Sequence, residues 1–184
     1  MRRGFKTHAE DVATELRGEM GVGSGDRMDC TALAAHLAIE VVPITALIGA
    51  GATAEDVNCM VSDEMGFSAM TVYRGTKCEI FYNPFHAETR TANSLAHEIS
   101  HVVLEHEPGP VLTPKGTRDW KQTQEDEADW LAGALLVPRE GALRWLAGGG
   151  TMTDGASHYG VSAQLFSWRA NHTGVVLQLR RRAA

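Results

Sequence analysis

The stretch LAHEISHVVLEH, residues 95–106, places His97 and His101 four positions apart with Glu98 between them. In an α-helix each residue turns about 100°, so positions four apart are offset by about 40° and about 6 Å along the axis. Both imidazoles then point the same way and can bind one Zn2+ at about 2.1 Å each. Glu98, one step round the helix, reaches water beside such a cation and is the acid and base of the pattern. Two histidines alone hold a metal weakly, and the same spacing is an ordinary feature of a polar helix face. A catalytic zinc takes three protein ligands and keeps one position open, so the pair needs a third donor.

The stretch QEDEADWLAGALLVP, residues 124–138, offers one. Glu125 and Asp129 share a helix face that Ala132 and Leu136 continue inward, and an apolar face ending in two acids needs a reason, either a cation or a solvated acidic first turn favoured by the helix dipole. Glu125 would complete a two-histidine, one-glutamate site. Asp129 would accept the free N–H of a ligand histidine and so fix its tautomer and basicity. Asp126 and Glu127 read as a solvated acidic first turn favoured by the helix dipole. Glu127 is the rival ligand, but it lies about 200° round the helix from Glu125, and only Glu125 shares a face with Asp129.

These residues need a frame. Ala9, Val12, Ala13 and Leu16 recur at helical spacing from Lys6 to Met20, until GVGSGD breaks the pattern. Asp29 can cap a second helix, CTALAAHLAI, and EVVPI follows as a short strand whose Pro43 marks an end or edge. Residues 45–66 read as irregular with one helix around Ala54 to Met60. FSAMTVYRG and KCEIFYNP form an antiparallel hairpin about Gly75 and Thr76, closed by Pro84. The HEISH helix should run from Thr91 to Glu105, burying Leu95, Ala96, Ile99, Val102 and Val103. Residues 107–116, with three prolines and two glycines, are a loop. A second strong helix spans Lys121 to Val137 and stops at Pro138. The tail holds two or three short helices and a last strand, GVVLQL.

The bulk numbers bound the class. A chain of 184 residues with 43% apolar and 22% charged residues is one ordinary globular unit. Its net charge of −6 argues against a surface built mainly for nucleic acid. Arg2 with Arg3, and Arg180 to Arg182, read as solvated basic tips. No apolar run approaches the roughly 20 residues needed to cross a bilayer, and the start lacks a signal peptide's apolar centre, so a cytoplasmic location is expected. Cys30, Cys59 and Cys78 are widely spaced without a CxxC pair and read as buried small hydrophobes.

The order LAHEISHVVLEH, then EDEAD and LAGALLVP, resembles the ImmA/IrrE family of zinc metallo-endopeptidases. GFKTHAEDVATELRGEMG is similar to the family's leading helix, IFYNP to the strand entering the site, and HYGVSAQLFSWRA to the helix-turn-helix-like segment that often follows. The resemblance implies metal ligands at His97, His101 and Glu125, the catalytic acid/base at Glu98 and an outer acid at Asp129. Where many relatives carry glycine before the second histidine, this chain has Ser100, small enough for the same close packing. One Zn2+ per chain is implied, and such donors also accept other divalent ions.

The fold expected is α+β: a small antiparallel or mixed sheet on a helical, zincin-like core, with HExxH on a central helix. Residues 1–138 would form the metallopeptidase domain, and residues 139–184 a helical segment packed on it rather than an independent domain. The implied activity is that of an intracellular gluzincin-type endopeptidase. Its protein substrate would be a helix-turn-helix repressor controlling phage, mobile-element or stress-response genes.

Tyr82, His106 and His158 are candidates to stabilise the oxyanion, and a substrate strand could add to the KCEIFYN edge. In the segment ASHYGVSAQLFSWRA, Gln164, Arg169 and Asn171 stand among Leu165, Phe166 and Trp168. That composition favours packing over DNA reading, so neither nucleic acid nor membrane is an expected partner. Two other readings stay open. One is a non-catalytic module that holds a repressor or toxin in the same groove. The other is a peptide deformylase, to which IGAGATAED and NCMVS bear a fragmentary likeness that would make Cys59 a ligand.

Overall fold

The computed structural model describes residues 1–63, 66–75, 77–107 and 122–183. The chain opens with helix α1 (Phe5–Glu19), whose buried Phe5, Ala9, Ala13 and Leu16 follow the helical period. Helix α2 (Cys30–His36) starts where the Asp29 side chain accepts from the backbone N–H groups of Thr31 and Ala32. It is three residues shorter than its apolar run because Ala38 turns to a φ of 57°. Strand β1 (Glu40–Pro43) follows, then helix α3 (Ala54–Val61), which Thr53 and Asp56 begin with a capping box.

Strands β2 (Ala69–Arg74) and β3 (Lys77–Tyr82) form the expected hairpin, with Ala69 opposite Tyr82 and Arg74 opposite Lys77. Thr76 of its turn lies outside the described residues. The sheet is mixed, in the order β1-β3-β2, and β1 runs parallel to β3 with Glu40 opposite Glu79. KCEIFYN is therefore the central strand, paired on both sides, and the expected docking of a substrate on its edge is overturned. Among the described residues β1 and β2 are the edge strands, and β2 is the one that lies against α4.

Helix α4 (Glu88–Val103) carries HEISH and begins three residues before the expected Thr91, with Glu88 supplying the acid of its first turn. Leu95, Ala96, Ile99 and Ser100 are buried, and the Ser100 hydroxyl donates to the Ala96 carbonyl at 2.7 Å. Helix α5 (Gln122–Leu136) is buried on nearly every side from Glu127 onward, lying against α4 on one face and α1 on another. The sheet closes the other side of α4 through β2 and β3. Of the loop expected over residues 107–116, only Glu107 is described, and the expected helix start at Lys121 also lies outside the described residues.

The tail is four helices, α6 (Arg139–Ala147), α7 (Met152–Tyr159), α8 (Ala163–His172) and α9 (Val175–Ala183). The expected strand GVVLQL is the start of α9. Strand alternation would bury positions 175, 177 and 179 together, yet Val175 is buried, Leu179 packs on the core and Leu177 is 53% exposed. That is the i, i+4 rhythm of a helix.

Arg169 of α8 is fully buried, with Nε donating to the Val137 carbonyl at 3.0 Å and Nη2 to Glu10 on α1 at 2.5 Å. A guanidinium thus satisfies a carbonyl left open where α5 ends. The packing expected for the second helix of ASHYGVSAQLFSWRA is observed, and Arg169 is not on its surface. Among the described residues no helix is long and apolar enough to cross a membrane.

Candidate metal centre

Helix α4 presents His97 and His101 on one face, and α5, packed against it, brings Glu125 over both. The two Nε2 atoms are 3.0 Å apart. One Glu125 carboxylate oxygen lies 3.3 Å from His97 Nε2 and the other 3.6 Å from His101 Nε2. Ligand atoms on a tetrahedral cation with bonds of about 2.1 Å stand roughly 3.4 Å apart, so these separations suit one ion. Two imidazole nitrogens facing each other at this distance, beneath a carboxylate, require a proton or a cation between them. Among the described residues this is the group of donors that could hold a metal ion. Asp129 Oδ1 meets His97 Nδ1 at 2.9 Å, on the side of the ring away from Glu125.

The charges agree with the geometry. Burial works against a charged His97, but the hydrogen bonds to Asp129 and Glu125 outweigh it and carry the imidazole up to about 9. Burial and the neighbouring His97 push His101 down, so it is the neutral partner. Glu125 sits below the usual carboxylate range, because its bonds to the histidines overcome a partial burial that acts the other way.

Glu98 is nearly buried beside the pair, and its Oε2 accepts from the Thr71 hydroxyl of β2 at 2.6 Å. A cavity of about 310 Å3 opens there, lined by Gly66, Phe67, Ser68 and Ala69 on one side and Asn93, Ser94, His97 and Glu98 on the other. Thr71 escaped the sequence reading. A threonine in AMTVYR gives no sign of which face it takes or that a residue 27 positions later will meet it.

Glu127 is neither a ligand nor part of a solvated turn: it is 2% exposed. The Arg2 backbone N–H and Nε donate to its Oε1 at 2.9 and 3.0 Å, and Arg2 Nη2 to its Oε2 at 2.9 Å. Arg2 is thus an anchor, not a free tip. Burial raises the Glu127 carboxyl, but the Arg2 bonds more than reverse that and leave it below its ordinary range. The signal was present in the spacing Glu127, Leu131, Leu135, which puts this acid on the innermost stripe of α5.

Of the three oxyanion candidates, only His106 adjoins the centre, and it touches His101 Nδ1 from behind, with its own Nδ1 3.0 Å away. Tyr82 lines a separate cavity of about 600 Å3 with Arg27 and Cys30. His158 stacks on Trp145 and meets the Gly25 carbonyl. The cysteines differ from one another: Cys30 is buried, Cys78 half-buried, and Cys59 exposed on α3, outside the donor cluster.

A helix-borne histidine pair, crossed by a carboxylate from the next helix and open to a cleft beside a strand, is a site suited to metal-assisted hydrolysis. Residues 54–171 match the Peptidase_M78 family, the IrrE N-terminal-like domain, and the chain belongs to that family of peptidases. No curated protein is similar enough to the chain to count as a match.

Proposed function

We propose that this chain is a zinc-dependent endopeptidase of the gluzincin type that cuts a protein substrate. The observation that carries the reading is the convergence of His97, His101 and Glu125, with His97 and Glu98 lining one cleft. His97, His101 and Glu125 would hold the ion, and Asp129 would keep His97 oriented by accepting its Nδ1 proton. When bound, Zn2+ supplies Lewis acidity, polarising the scissile carbonyl and lowering the pKa of water toward neutrality.

Glu98 takes the proton of the attacking water and returns it to the departing amide nitrogen. Thr71 donates to one oxygen of Glu98, whose side chain lines the cleft. An extended substrate pairs with the side of β2 that no described strand covers, beside Glu98, and its side chains enter the cavity between Gly66–Ala69 and Asn93–Glu98. By the family resemblance the substrate is a helix-turn-helix repressor of phage, mobile-element or stress-response genes, cut in the cytoplasm.

The test is incubation of zinc-loaded protein with the repressor encoded beside its gene. Wild type should cleave it, and Glu98→Gln should keep the metal and lose cleavage. Intact repressor after prolonged incubation with fully loaded wild type favours the module that binds without cutting. The deformylase reading lacks its cysteine, because Cys59 stands outside the cluster.

A further inference from the structure

His106, Glu127 and Arg2 have no part in the proposed hydrolysis, yet they form a continuous line behind His101. His106 Nδ1 is 3.0 Å from His101 Nδ1. Its other nitrogen, Nε2, faces Glu127 Oε2 at 3.6 Å, a charge contact just beyond hydrogen-bond range, and both side chains are almost wholly buried. Arg2 grips both oxygens of that carboxylate through three hydrogen bonds.

One arrangement of protons suits both the hydrogen bond to His101 and the charge facing His106 Nε2. Two ring nitrogens at 3.0 Å share one hydrogen, so either His101 or His106 donates. If His106 donated from Nδ1, its Nε2 lone pair would face an ionised carboxylate, and the neutral His101 would carry its proton on Nε2, where a cation must bind. If His101 donates instead, His106 accepts at Nδ1 and bears its own proton on Nε2, directed at Glu127. His101 Nε2 then presents a lone pair to the ion. Arg2 keeps the carboxylate fixed at the far end.

We propose that His106, backed by Glu127 and Arg2, is the positioning residue that locks His101 in the tautomer able to bind metal. The two histidine ligands are then steadied by different means. His97 has the largely exposed carboxylate of Asp129, whereas His101 has a buried line that ends on Arg2, in the segment before α1. Residues far apart in the chain meet here, and the N-terminal segment becomes part of the metal site's support.

The inference rests on the proposed His97–His101–Glu125 centre, and its test separates the two. Zinc affinity would be measured by competition with a chromophoric chelator for wild type, His101→Ala, His106→Leu, His106→Asn and Arg2→Ala, with melting curves as the folding control. Long-range 1H–15N spectra would report the tautomer of His101 in metal-free wild type. His106→Leu should weaken zinc binding by roughly 10- to 100-fold, the usual effect of losing such support. His106→Asn, whose side-chain oxygen can accept where Nδ1 did, should restore most of it.

Arg2→Ala changes a largely exposed side chain, so it should fold and weaken binding by a smaller factor. His101 should carry its proton on Nδ1 in the spectra. Wild-type affinity in both His106→Leu and Arg2→Ala, or a His101 proton on Nε2, overturns this inference and leaves the centre standing. If His106→Leu does not fold, wild-type affinity in Arg2→Ala overturns it. Undiminished zinc binding in His101→Ala overturns the centre and this inference together.

Discussion

Filling the centre with zinc at pH 7 should expel close to one proton per chain. His97, lifted to about 9 by Asp129 and Glu125, is protonated in the metal-free protein at that pH, and His101, pushed down, is not. Binding through His97 Nε2 needs a lone pair there, so the ion must displace that proton. Two pH units below a pKa of about 9, the competition weakens apparent affinity by about 100-fold, equivalent to about 2.7 kcal/mol. Affinity should rise about tenfold per pH unit from 7 toward 9 and level off above.

The assay is calorimetric titration in buffers of different ionisation enthalpy, which counts protons directly. Asp129→Asn removes the strongest contact raising His97, so it should release a smaller fraction of a proton at pH 7. A pH-independent affinity between 7 and 9, or the same release from both proteins, would refute the reasoning. The linked stability has a definite sign. Because the folded pKa of His97 lies above its ordinary 6.5, its contribution to the metal-free fold is complete below pH 6.5 and disappears as pH rises through 9. Its ceiling is about 3 kcal/mol, so metal-free protein should melt several degrees lower at pH 10 than at pH 7.

Thr71→Val keeps the shape of the side chain and deletes its bond to Glu98. It should lower kcat by about tenfold, with KM and zinc content unchanged, the scale of losing a hydrogen bond to a charged group. Arg169→Met should cost about 3 kcal/mol in thermal or denaturant unfolding, because it strands the Val137 carbonyl and removes the cation paired with Glu10 while leaving the metal centre intact. Equal stability of that variant would show that α8 is not keyed to α1 and α5 through this residue.

The helices that carry the candidate centre were legible because their signals are local. His97, His101, Glu125 and Asp129 follow from spacing on a cylinder, and the structure brings all four together at the expected faces. What escaped was set by distant partners. KCEIFYN is plainly a strand, but its central place depends on β1 arriving in parallel from 39 positions earlier. Thr71 reaches Glu98 only once that sheet lies on α4. For Glu127 the spacing with Leu131 and Leu135 marked an inward position, but the partner that makes a buried acid tolerable, Arg2, is 125 residues away. GVVLQL suits both periods, and it became a helix because its inward positions are four apart.

The proposed centre holds one divalent cation between His97 Nε2, His101 Nε2 and a Glu125 oxygen. Anomalous diffraction at the zinc edge from zinc-loaded crystals tests it most directly. A single strong peak within about 2.0–2.2 Å of those three atoms is the predicted result. A metal bound elsewhere in the chain, or Glu125 turned away from an ion on the two histidines, would contradict it.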